Sequence, residues 1–161
     1  MMGENTIRLC LFAIIALFAA APFSRAAEGD TAEQAIQKQV AKINEAWRSG
    51  NGAEIMRDVL SEAFTTSLPN PQNPTAWRTL NREQFCAAFS VMLKQNPPKE
   101  HVRETKKITV KGGVAYEAGV SIHVNKEGVR TEDEILNIWR KEGEVWRLFF
   151  SAKTQDLRES I

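Results

Sequence analysis

The segment that most constrains the fold is 137–150, whose sequence NIWRKEGEVWRLFF has the pattern of two β-strands joined by a tight, charged turn. Glycine adopts the positive φ angles of such turns at no steric cost, and Gly143 stands at the tip of this one. A turn centred between Glu142 and Gly143 places Trp139 opposite Trp146. Cross-strand aromatic pairs stabilise a sheet and widen its apolar face, so the pattern predicts a C-terminal antiparallel hairpin with one apolar face.

The N-terminal segment 1–26 has the pattern of a secretory signal peptide. Its apolar run, 9–23, is too short to span a bilayer comfortably, and Ser24 and Ala26 are the small residues that precede a cleavage site. An uncleaved N-terminal anchor is the alternative. We therefore expect a signal peptide at 1–26 and a single domain at 27–161, which is periplasmic or secreted.

The composition of the mature domain excludes several classes of partner. The full chain has 20 acidic and 21 basic residues. Loss of 1–26 removes one acidic and two basic residues, so the mature domain has a net charge of zero. Nucleic-acid and polybasic membrane binding both depend on excess positive charge, and no second apolar run has membrane-spanning length. We therefore expect a soluble mature protein with no nucleic-acid and no membrane partner. Its single cysteine, Cys86, is expected to be a buried, inert thiol.

Hydrophobic periodicity predicts helices followed by strands. Three- and four-residue steps mark three helices, at 31–48, at 52–60 and from Asn81 onward. A two-residue period marks strands at 63–67, 101–111, 113–124, 129–140 and 145–153. Two helices open with the residue pattern of a capping box, at Thr31 with Gln34 and at Asn81 with Gln84. The expected fold class is α+β, with three N-terminal helices packed on one face of a curved antiparallel sheet.

The segment 68–79 interrupts this pattern with three prolines, which disfavour a helix or a central strand. It is predicted to be a long irregular loop, and loops of this length are often functional lids or variable insertions. Trp77 lies within it, and we expect this side chain either to anchor the loop or to contact a ligand.

The turns predict the register of the sheet. If Val124 faces Val129, alternate residues of 113–124 beginning at Val114 share the apolar face with Trp139 and Trp146. The polar residues left on that face are Tyr116, Thr131, Asp133 and Asn137. An apolar concavity with a few converging polar groups is typical of a ligand site. Asp133 is then a candidate general base or anchor with Tyr116 as donor, and the alternative is an Asp133 at the rim in water or paired with an arginine.

The two histidines give no sign of a metal site. His101 and His123 are expected on the solvated surface, with His123 on the charged face of the sheet. Two separated histidines without a cysteine pair lack metal-ligand spacing, and no glycine-rich phosphate loop is present. We therefore expect no metal and no cofactor.

Two motifs carry a family resemblance that covers about 31–153. Glu45-Ala-Trp47-Arg-Ser-Gly50-Asn51 resembles the start of nuclear transport factor 2-like domains, and 139–148 resembles the end of their SnoaL-like and ketosteroid-isomerase-like branch. The resemblance implies a cone-shaped fold with a deep pocket between helices and sheet, often in a homodimer formed through the outer sheet face. The steroid isomerase's catalytic base and tyrosine donor match Ser67 and Ile43, neither of which supplies that chemistry, so we do not predict that activity.

Three functions remain. The leading hypothesis is an exported protein that binds a small, partly apolar molecule, with a ligand site formed by Trp47, Ser67, Trp77, Asn137, Trp139, Trp146 and Phe150. The second is a cofactor-independent isomerase, cyclase or dehydratase in which Asp133 is the base and Tyr116 or Asn137 stabilises an oxyanion. The third is an interaction subunit that uses the partly apolar outer face of the sheet.

Overall fold

The first and third helices open as their sequences predict. The computed structural model describes residues 30–70 and 73–153, without the side chains of 69–70 and 73–77. In the first capping box, Gln34 N–H donates to Thr31 Oγ1 at 3.2 Å and Thr31 N–H donates to Gln34 Oε1 at 2.9 Å. Asn81 and Gln84 make the same reciprocal pair. Both predicted caps are confirmed, and each satisfies two backbone donors that a helix start leaves free.

The described chain contains three helices and six strands. The helices are α1 (Ala32–Ala46), α2 (Gly52–Val59) and α3 (Arg82–Gln95). The strands are β1 (Leu60–Asn70), β2 (Asn73–Asn81), β3 (Glu100–Lys111), β4 (Val114–Val124), β5 (Arg130–Glu142) and β6 (Val145–Lys153). They form one sheet in the order β2-β1-β6-β5-β4-β3, in which β1 and β6 are parallel and all other neighbours are antiparallel.

The α+β class and the packing of helices on one sheet face are confirmed. The core joins buried residues of α1, α2 and α3 to Leu60, Phe64, Trp139, Trp146 and Leu148 of the sheet. The N-terminal placement of all three helices is not confirmed, because α3 follows the β1–β2 hairpin in the chain. No helix among the described residues has the length and apolar character needed to cross a membrane.

The proline-containing segment is a β-hairpin, and its prediction as an irregular loop was wrong. Pro74 lies in β2, which is an edge strand, so its missing N–H removes no hydrogen bond from a central ladder. Pro69 pairs with Trp77 of β2, beyond the last registered β1–β6 pair, Thr66 with Ser151. The side chain of Trp77 lies outside the described residues, so its predicted role stays a prediction.

The predicted register between β4 and β5 is wrong by one residue, because the turn is built differently. Asn125 N–H donates to the carbonyl of Val129 at 3.0 Å, and Asn125 Oδ1 accepts from Val129 N–H at 2.8 Å. These bonds extend the ladder by one pair, leaving three turn residues that end at Gly128, where φ is +87°. Val124 therefore pairs with Arg130 rather than with Val129.

This shift turns every side chain of β4 onto the face opposite to the predicted one. Tyr116 lies on the outer face, which is the sheet face turned away from the helices, and is 44% exposed. Glu117, predicted to face outward with the other charged residues, is fully buried. Tyr116 was therefore wrongly placed at the pocket.

The final hairpin turns where it was predicted to turn, with Gly143 at φ +60°. Trp139 and Trp146 both belong to the buried core, as their predicted face requires. They are not directly opposite, since Trp139 pairs with Leu148 and Trp146 with Lys141. An irregularity in the β5–β6 ladder follows Ile138, which pairs with Phe150.

Candidate functional site

A cavity of about 540 Å³ lies between the helices and the inner face of the sheet. Its floor is apolar and includes Met56, Leu60, Phe64, Phe85, Phe89, Met92, Ile135 and Leu148. These residues come from α2, α3, β1, β5 and β6, so the cavity exists only because the helices cover the curved sheet. Its size falls within the range of about 300–1,000 Å³ that is usual for small-molecule sites.

One wall of the cavity is polar and crosses neighbouring strands. His101 of β3 pairs with His123 of β4, and Arg103 of β3 pairs with Ser121 of β4. Because alternate residues of a strand share a face, all four side chains turn inward, and all four line the cavity. We call these four residues the polar wall.

His101 is the most enclosed member of the polar wall, at 4% exposure. Its ring stacks on the indole of Trp47 with ring centroids 3.8 Å apart and an interplanar angle of 11°. Nε2 lies 3.1 Å from Ser121 Oγ, whereas Nδ1 is buried and has no hydrogen-bond partner in the part of the chain that the structure describes. Burial, reinforced by the charge of Arg103 and by His123, lowers the pKa of His101 to about 3, so the ring is neutral near pH 7.

Arg103 is held in place by α1 through its main chain. Its N–H donates to Asn44 Oδ1 at 2.7 Å, and its carbonyl accepts from Asn44 Nδ2 at 3.1 Å. The side chain remains partly accessible, but Nε and Nη1 are buried and have no hydrogen-bond partner among the described residues. Burial lowers the pKa of the guanidinium, which nevertheless remains charged because arginine does not deprotonate in proteins.

A buried carboxylate lies behind the polar wall. Glu117 Oε1 accepts from Thr105 Oγ1 at 2.7 Å, while Oε2 accepts from Asn137 Nδ2 at 3.0 Å and from Trp139 Nε1 at 2.7 Å. Three donors to one carboxylate explain how a fully buried glutamate is tolerated. Its negative charge also stabilises the charged form of Arg103, although the two groups form no ion pair within 4.0 Å in the described structure.

Some predicted site residues line the cavity and others do not. Trp47, Ser67 and Asp133 are part of its lining. Asn137 and Trp139 are fully buried behind the polar wall, where both bind Glu117, so their assignment to the ligand surface was wrong. The same correction applies to Trp146, which is a core residue, and to Phe150, which lies outside the cavity lining.

The predicted acid–base pair is not assembled. Asp133 reaches the cavity, but its carboxylate forms an ion pair with Lys153 at 2.7 Å and its side chain is 25% exposed. This is the rim arrangement weighed from the sequence, with a lysine in place of the expected arginine. Tyr116 lies on the outer face and cannot donate to a group inside the cavity.

The polar wall itself was missed. Both histidines were predicted to be at the surface, yet His101 is buried and His123 lines the cavity. The available signal was the alternation of His101 with Arg103 and of Ser121 with His123, which places polar residues at two-residue spacing on neighbouring strands. Among the described residues, no group of three or more His, Cys, Asp or Glu is arranged to hold a metal ion.

The architecture defines a class, in which helices pack on one face of a curved, unclosed sheet with a cavity between the two layers. Solved structures share it. An NTF2-like protein from Cytophaga hutchinsonii is 12% identical over 77% of this chain and 98% of its own, with a TM-score of 0.63. An NTF-2 like protein of unknown function from Shewanella oneidensis is 15% identical over 76% of this chain and 98% of its own, with a TM-score of 0.61.

An uncharacterised protein with a cystatin-like fold from Caulobacter vibrioides is 19% identical over 80% of this chain and 98% of its own, with a TM-score of 0.56. No protein-family model and no curated protein matches the sequence. At these identities the likeness shows the fold alone. The chain thus has the nuclear transport factor 2-like fold that its motifs resemble, while its place in the SnoaL-like branch stays a prediction.

Proposed function

We propose that this chain is an exported small-molecule-binding protein, in which the cavity encloses a partly apolar ligand without a cofactor. The observation that carries the proposal is the combination of an apolar floor with a polar wall around a volume of about 540 Å³. Apolar concavities with a few converging polar groups are the usual form of ligand sites, because the apolar area supplies affinity and the polar groups fix orientation.

The enzymatic alternative receives less support from the geometry. Asp133 is paired with Lys153, and the two residues expected to assist it are out of reach, with Tyr116 on the outer face and Asn137 bound to Glu117. A general base requires hydrogen-bond access to its substrate and a free lone pair.

The binding proposal is tested with a dye and a blocked cavity. An anilinonaphthalene dye is titrated into the mature protein, and we expect saturable fluorescence with one site per chain. Ala88 of α3 lines the cavity and is exposed, so Ala88→Trp fills the site without disturbing the core and is expected to abolish binding. Ala87→Trp is the matched control, because Ala87 is an exposed neighbour outside the lining. Equal dye binding by both variants would refute an internal site.

A homodimer through the outer face is the assembly we propose. The observed register places Tyr116 beside Ile138 and Ala118 beside Leu136, so alternate apolar residues of two central strands point away from the helices. Multi-angle light scattering is expected to give twice the chain mass for the wild type and a single chain mass for Ile138→Glu. Val91→Glu, which changes an exposed residue of α3, is the control and should remain dimeric. A monomeric wild type would contradict this assembly.

Export is tested by the N-terminus of the mature protein. Expression of the full chain with its own leader is expected to give a product that begins at Ala27, read by N-terminal sequencing. A cell-associated product that retains 1–26 would favour the uncleaved anchor.

A further inference from the structure

We propose that the ligand carries a single carboxylate, which binds the Arg103 guanidinium, while its apolar body rests on the cavity floor. This inference rests on the proposed binding function and specifies the chemical class of the ligand.

Arg103 is a cation without a direct counter-ion in the described part of the chain. Exposed arginines such as Arg57 and Arg130 form ion pairs, with Glu83 and Glu132 respectively. Arg103 forms none with any residue in 30–70 or 73–153, although its side chain is far more enclosed. A buried charge is costly unless it is paired and hydrogen-bonded, so an anion that enters the cavity relieves an existing penalty.

The described part of the chain does not itself supply the missing anion. Glu117 contributes negative charge at Arg103, but its two oxygens accept hydrogen bonds from Thr105, Asn137 and Trp139. Asp133 is engaged by Lys153 at the rim. The guanidinium lines the cavity and remains partly accessible, so a ligand can reach it where the protein's own carboxylates do not.

The charge of the anion follows from the groups beside Arg103. His101 is an uncharged ring near pH 7, and Ser121 carries a hydroxyl that both donates and accepts hydrogen bonds. Two other cations line the cavity: Arg78, which is exposed, and Lys153, which is paired with Asp133. Arg103 is the enclosed cation of the lining, and its one positive charge matches one negative charge, whereas a phosphate dianion needs more cations beside it. A carboxylate is also an anion with which arginine forms strong charge-assisted hydrogen bonds.

The floor of the cavity determines which ligand body fits. It presents the rings of Phe64, Phe85 and Phe89 and the flexible side chain of Met92. Aromatic and thioether surfaces favour acyl chains and rings over sugars or free amino acids, because they offer few hydrogen-bond partners. The expected ligand is therefore an aliphatic or aromatic monocarboxylic acid.

The experiment compares decanoate with decanol, which share a chain and differ in the head group. Binding is measured by competition with the anilinonaphthalene dye near pH 7. The wild type is expected to bind decanoate at least about tenfold more tightly than decanol, which is the scale of one charge-assisted hydrogen-bonded pair. Arg103→Met is expected to remove this preference while still binding the dye, and Arg103→Lys to restore part of it. Arg130→Met removes an exposed arginine outside the lining and is expected to keep the preference.

The outcomes separate the two proposals. If the wild type binds the acid no better than the alcohol, or if the preference survives in Arg103→Met, the carboxylate inference is overturned while the binding function stands. Stronger competition by decyl phosphate than by decanoate overturns it in favour of a phosphate. If Ala88→Trp leaves dye binding unchanged, the binding function itself fails. The comparison of acid and alcohol in the wild type decides the question even if Arg103→Met does not fold.

Discussion

The neutral state of His101 makes the stability of the fold depend on pH. Its pKa falls from an ordinary value of 6.5 to about 3, first because the ring is buried and then because Arg103 and His123 face it. Between these values the unfolded chain binds a proton that the folded chain refuses, so acidification favours unfolding. The stabilising contribution is therefore complete above about pH 6.5 and is lost progressively as the pH falls towards 3.

The size of the effect follows from the same two values. Each pH unit in the interval removes at most about 1.4 kcal/mol, so a change from pH 7 to pH 5 is expected to lower the free energy of unfolding by about 2 kcal/mol through this one group. Urea denaturation, followed by circular dichroism at both pH values, measures the loss. His101→Gln is expected to abolish about 2 kcal/mol of the pH dependence, whereas His123→Gln is expected to retain it.

Staying at or above pH 5 separates this effect from carboxylate titration, such as that of Glu83, whose pKa is already lowered by Arg57. The chain contains only two histidines, so the His123→Gln variant leaves a single imidazole to follow by proton NMR. We expect no titration of His101 down to pH 5. A midpoint near 6.5, or an equal pH dependence in His101→Gln and the wild type, would refute the reasoning.

Three further substitutions test the packing around the site, each by urea denaturation at neutral pH. Glu117→Gln removes the charge that three donors surround and is expected to destabilise the fold by about 2 kcal/mol, with little change in the m-value. Gly119→Ala places a Cβ 2.5 Å from the Glu104 carbonyl oxygen and is expected to cost at least about 2 kcal/mol, whereas Gly113→Ala has open space and is expected to be nearly neutral. Thr31→Ala removes one side of the first capping box and is expected to lower the free energy of unfolding by about 1 kcal/mol. An unchanged urea midpoint in any of the three destabilising variants would contradict the explanation given for that variant.

Features that depend on neighbouring residues in the sequence were predictable. Capping boxes at Thr31 and Asn81 and the positive φ of Gly143 follow from bonds or torsions within a few residues. The β1–β2 hairpin was not predictable from neighbouring residues. Prolines are tolerated in a strand that lies at the edge of a sheet, and the edge position is a property of the whole sheet. The parallel pairing of β1 with β6 joins the first and last strands and leaves no local signal either.

The polar wall was missed because the apolar face of β4 was expected to point to the core. In β4 the even positions are apolar and the odd positions include Glu117, Gly119, Ser121 and His123, yet the odd face turns inward. Two conditions make this stable: Glu117 finds three donors, and Gly119 lets the β3 backbone approach where a Cβ would collide. A strand that turns polar side chains towards the helices and apolar ones away from them departs from the pattern that stability alone favours, and such departures concentrate at functional sites. The inverted orientation of β4 therefore supports both ligand binding in the cavity and a homodimer through the outer face. It places polar groups in the cavity and leaves an apolar surface for a second copy.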